Sequence, residues 1–80
     1  MSFTQAQLEE LELLARFSLD TEQQGLKIHS DAPAALVAAG RRLHAKGMIT
    51  QPDGGYLTPL GHETSEHAQA LRTLLTVAED

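Results

Sequence analysis

The sequence predicts an α+β fold, mainly helical, forming a single domain over residues 1–80. Three observations carry this. Apolar residues recur at helical spacing in three segments, each preceded by capping residues. A Pro-Asp-Gly turn at 52–54 is flanked by short alternating stretches, the pattern of a β-hairpin. No repeat, linker or low-complexity segment divides the chain.

The first helix is placed at residues 4–17. Thr4 can accept from the backbone N–H of Gln7 while Gln7 reaches back, a capping box. Leu8, Leu11, Leu14 and Ala15 share one face, and Leu13 and Phe17 lie on a second. Glu9, Glu12 and Arg16 form the polar wedge. A helix apolar on two sides is central, or buries its second side against a partner.

Residues 20–29 read as a short turn and strand. Asp20 with Gln23 can cap a helical turn that Gly25 ends, and "LKIH" then alternates. One weak helix running through Gly25 is the alternative. The next helix is placed at 31–46, with Asp31 or Ser30 as N-cap and Pro33 in the first turn. Its stripe is Ala32, Leu36, Ala39, Gly40 and Leu43, and Gly47 ends it. Gly40 inside the stripe suggests close approach of another helix.

The hairpin spans 48–58. Pro52 and Asp53 suit the middle of a type I turn, with Gly54 left-handed after them. This register pairs Ile49 with Leu57 on the core side and sets Thr50 beside Tyr56 outside. The last helix, 59–77, opens on Thr58-Pro59. Its apolar stripe is Leu60, Thr64, His67, Ala68, Leu71, Leu74, Leu75 and Ala78. Its length is about 30 Å, against a radius of gyration near 12 Å for such a domain. Its far end is therefore expected to meet a second subunit.

The net charge is −5. Residues 1–24 carry net −4, residues 25–49 net +3 and residues 50–80 net −4. The overall acidity disfavours nonspecific attraction to nucleic acid, so the basic middle is the sole candidate footprint. The chain has no cysteine, which excludes a disulfide framework, a thiolate metal site and a thiol nucleophile. "MSFTQAQLEE" lacks a basic start and an apolar core, so no secretory signal is expected. "APAALVAAG" is far shorter than the ~20 residues of a membrane span. The expectation is a soluble, cytoplasmic protein without a membrane partner.

The segment order helix, "RLHAKGMI", turn, "GYLTPLG", helix resembles the end of a winged helix-turn-helix domain. Leu43, Gly47, Ile49, Tyr56, Leu57, Thr58 and Gly61 match that pattern over roughly 36–62. Nearly the whole chain also resembles a small uncharacterised bacterial family. Its members run "LDTxQQG", "KxHSDA" and "KGxIT…DGGYLTxLG", here Leu19–Gly25, Lys27–Ala32 and Lys46–Gly61. The resemblance implies a winged-helix-like fold. Some members carry a DNA-binding or regulatory label.

That resemblance makes a DNA-binding-type transcriptional regulator, dimeric and non-catalytic, the first functional expectation. Lys27, Arg41, Arg42 and Lys46 would contact phosphates. The first half of the 31–46 helix, "DAPAALVAA", holds no side chain for bidentate base contact. The turn "QPDGG" carries an acid and no base, so it would repel a phosphate backbone. The alternative is a winged-helix-derived protein-interaction module without DNA contact. It would use Leu13, Phe17, Tyr56 and Leu74, as a homodimer or with another protein. The alanine-rich outer face of the 31–46 helix is a further surface for it.

No metal site, cofactor or small-molecule substrate is expected. In "HETSEH" the histidines are five apart, not four as in the zinc-protease helix. His62–Glu66 and Glu63–His67 read as ordinary i,i+4 pairs. His67, within the apolar stripe, is expected to be a hydrogen-bonded core or interface histidine.

Overall fold

A computed structural model describes residues 2–20 and 24–77. Along the chain run α1 (Gln5–Leu14), β1 (Leu26–Lys27), α2 (Ala34–Ala45), β2 (Ile49–Gln51), β3 (Gly54–Leu57) and α3 (Pro59–Val77). The architecture is α+β: three helices and a small antiparallel sheet in the order β1-β3-β2. The radius of gyration is 12.5 Å.

The capping box of α1 is present, with Thr4 Oγ1 accepting from Gln7 N and Gln7 Oε1 accepting from Thr4 N. The helix stops three residues before the expected boundary. Arg16 and Phe17 donate three residues back, to the carbonyls of Leu13 and Leu14, so the last turn tightens. α1 packs against both α2 and α3, as its two apolar sides require. Leu13 and Phe17 are therefore core residues, 0% and 4% exposed. This corrects their assignment to a partner interface: both faces of the helix are covered within one chain.

The expected lone hairpin has a third strand. β1 pairs with β3 in the register Leu26↔Gly55 and Lys27↔Gly54, and Ile28 N donates to the Asp53 carbonyl. This resolves the 20–29 segment in favour of the strand. The helical turn capped by Asp20 and Gln23 falls partly on residues 21–23, outside the described residues.

Neither Ser30 nor Asp31 caps α2. Pro33 stands at the N-cap with ψ 140°, without a side-chain cap. Proline disfavours the helical conformation of the residue before it, so the helix starts after Pro33. Gly47, at φ 77°, ends α2 as expected. Gly40 is buried, but its close neighbour is not a helix. A β-carbon there would stand 2.6 Å from Ile28 Cδ1 and 2.9 Å from the Pro52 carbonyl oxygen. The β1 end and the hairpin turn press on this point.

Ile49 pairs with Leu57 as expected, and Ile49 is buried. Tyr56 N donates to Thr50 Oγ1 at 2.9 Å on the outer side. Thr58 Oγ1 accepts from Gly61 N at 3.0 Å and donates to the Gly47 carbonyl at 2.6 Å. One hydroxyl thus caps α3 and ties it to the end of α2.

The core cluster joins Leu13, Leu14 and Phe17 to Ile28, Ala39, Leu43, Ile49 and Ala68. α3 contributes least to it. Its buried residues are Gly61, Ser65 and Ala68. The smallest side chains let the helix lie close to α1 and the hairpin. A β-carbon on Gly61 would stand 1.8 Å from the Met48 carbonyl oxygen. Because a backbone oxygen is the obstacle, Gly61→Ala is expected to cost about 3 kcal/mol. Urea unfolding should show a lower midpoint at constant slope; an unchanged midpoint would refute this reading of Gly61.

Candidate functional site: the basic residues and the outer face of the last helix

Lys27, Arg41, Arg42 and Lys46 were grouped by charge alone. The fold separates them. Arg42 and Lys46, one turn apart on α2, both turn onto Glu10 of α1. Arg42 Nε lies 2.7 Å from Glu10 Oε2, and Lys46 Nζ hydrogen-bonds Glu10 Oε1. Arg42 Nη2 also donates to the Ala6 carbonyl at 3.3 Å and lies 3.6 Å from Glu9 Oε1. The basic end of α2 fastens α1.

Glu10 is only 6% exposed. Burial alone would push its carboxyl up. Hydrogen bonds from Lys46 and Arg42, with their charges, outweigh that and hold it below its ordinary value. Glu10 was absent from the sequence-derived sites. The available signal was its spacing: it precedes Leu13 and Leu14 by three and four residues, so an acid shares the most buried face of the helix.

Lys27 pairs with Asp53 at the hairpin turn. Its hydrogen bond holds the Asp53 carboxyl below the usual range. The turn lacks a base in sequence but gains one in space from β1, which corrects its reading as an uncompensated acid. Arg41 is exposed and makes no ion pair among the described residues. With Lys27, His29 and Val37 it lines an open cleft between α2 and the hairpin turn. The other exposed positions of α2 are Ala34, Ala35, His44 and Ala45.

Tyr56 is half exposed, as expected of the outer side of the hairpin. The larger exposed apolar surface is on α3. Leu71 is 44% exposed, Leu74 67% and Leu75 65%, with Leu60 and Val77 also open. Apolar periodicity implied that this stripe is the core face. The structure corrects this by about a quarter turn: of the described stripe residues only Ala68 is buried, and Gly61 and Ser65 join it on the core side. Ala78, in the same stripe, is outside the described residues. His67 is exposed, neither a core residue nor a buried hydrogen-bonded one. His62 Nδ1 lies 3.3 Å from Glu66 Oε1, an ordinary i,i+4 contact.

Ser65 and Gln69 were also missed. Ser65, 0% exposed, donates from Oγ to the Leu14 carbonyl at 2.7 Å. Gln69 Nε2 donates to the Phe17 carbonyl at 2.9 Å and to Ser65 Oγ at 3.2 Å. These side chains tie α3 to the backbone at and just beyond the end of α1. Beyond Gln69 the partners run out: Ala70 to Val77 are all exposed.

A family model described as a family of unknown function, DUF5669, matches residues 1–76. The chain belongs to this family. The match agrees with the full-chain resemblance to a small family without an assigned role. Comparison with curated proteins and with solved structures returns no match. No helix among the described residues of this DUF5669 chain is long and apolar enough to cross a membrane.

The Glu10 cluster has a pH signature. A carboxyl lowered in the folded state adds stability that is complete above its ordinary value of 4.5. That stability drains away as pH falls from there through the lowered native value. Glu10→Gln is expected to cost about 1–3 kcal/mol at neutral pH, below a fully buried pair because Arg42 and Lys46 are partly hydrated. The two chains should converge in stability in strong acid. Urea titrations at both pH extremes check this, and a loss independent of pH would refute the electrostatic account.

Proposed function

We propose that this DUF5669 domain is a non-catalytic protein-interaction module whose working surface is the outer face of α3. The observation carrying this reading is the division of labour on that helix. Small residues face the core, while Leu71, Leu74, Leu75 and Val77 face outward at its projecting end. Exposed leucines in one stripe have no use in the monomer and favour a partner. Three of the four candidate phosphate-binding cations are engaged inside the chain, and that also supports the reading.

A DNA-binding-type regulator is the second reading. Its support is the cleft lined by Lys27, His29 and Arg41, with the sequence resemblance of residues 36–62 to the end of a winged helix-turn-helix domain. A titration with random duplex DNA at about 50 and 200 mM salt separates the two, since phosphate contacts lose affinity steeply with salt. The interaction module should bind weakly or not at all at both. Salt-sensitive binding abolished by Arg41→Ala would overturn it in favour of the regulator.

A further inference from the structure

We infer that the occupant of the α3 outer face is a second copy of this chain, paired antiparallel about a two-fold axis that faces the middle of α3. The inference rests on the interaction-module reading and names the partner.

Leu60, Thr64, His67, Leu71 and Leu74 are spaced 4, 3, 4 and 3 residues apart. That is the spacing of a helix-pairing seam. None of the five is buried: Thr64 is half-buried and the others are exposed. The seam runs beside the face that packs on α1 and adjoins it at Thr64. At the level of Thr64 it opens onto a shallow depression of about 150 Å³, with Phe3, Leu11, Leu14 and Met48 among its apolar walls and the Glu10–Lys46 pair also lining it. That volume has room for a leucine side chain. The most exposed leucine, Leu74, lies ten residues further along the same seam, about 15 Å away.

Projection and depression thus sit on one helix face. In a two-fold antiparallel pair, Thr64 opposes Leu74 of the other copy, and His67 opposes Leu71. Each Leu74 then fills the depression of its neighbour, and both are satisfied at once. Such an interface is closed, since the same patch serves both copies. The fit itself selects the direction: in a parallel in-register pair Thr64 meets Thr64 and Leu74 meets Leu74, so neither leucine reaches the neighbour's depression. Leu60, Leu71, Leu74 and Leu75 with Phe3 are each 44–67% exposed, so covering them gives an apolar contact at the small end of specific interfaces.

The chain has no cysteine, which permits a direct test. Thr64→Cys and Leu74→Cys chains are prepared separately, checked for native circular dichroism, and oxidised alone and as a mixture. The mixture should yield several-fold more covalent dimer than either alone, because only opposed residues come within the ~7 Å Cα separation a disulfide spans. Wild-type chain should sediment as a dimer at about 100 μM, where even micromolar affinity suffices, and Leu74→Glu should return it to monomer. A strictly monomeric wild type overturns self-pairing. Preferential disulfides within the Leu74→Cys sample overturn the antiparallel register. Either result leaves the interaction-module reading to be decided by the DNA titration.

Discussion

The carboxylate of Glu10 is the constraint on which the arrangement depends. A charge placed among the buried leucines of α1 is unfavourable unless neutralised, and only α2 carries the two cations that reach it. Their one-turn spacing fixes how α2 lies across α1. Once α2 is set, Gly47 and Thr58 set the hairpin, and the hairpin sets the start of α3. The functional consequence is subtraction. Arg42 and Lys46 mark the most basic stretch of the sequence, and the fold spends both on holding itself together.

α3 is fixed by a different principle. Its contacts with the rest of the domain rely on closeness and hydrogen bonding. Gly61 touches backbone, while Ser65 and Gln69 hydrogen-bond carbonyls at and just beyond the end of α1. A helix attached through small and polar residues keeps its leucines for other use. That is why a chain with few aromatic residues can still present a sizeable apolar surface.

Much of the fold was legible in the sequence because it is local. The Thr4–Gln7 box, the Gly47 stop, the Ile49–Leu57 register and the Thr58 cap each depend on residues a few positions apart. What escaped depends on distance. Periodicity shows that α3 is amphipathic, but the close packing that selects the Gly61–Ser65–Ala68 face is tertiary. The alternation of "LKIH" marked a short strand, but its long-range pairing with β3 was not legible. Leu13 and Phe17 marked a second apolar face, and two apolar faces alone do not tell a central helix from one that meets a partner. The basic group was legible as composition, and its partner Glu10 was hidden among apolar neighbours. Tyr56 lies on the outer side of the hairpin as its register implied.

The α1 contacts have a kinetic consequence. Glu10 meets Arg42 across 32 residues, and Leu14 meets Ser65 across 51. A ten-residue helix is too short to persist alone in water. Its lasting structure must wait for α2, the hairpin and the start of α3 to assemble. The first helix in the chain is thus the last to be secured, and this mostly helical domain should fold more slowly than a bundle built from neighbouring contacts.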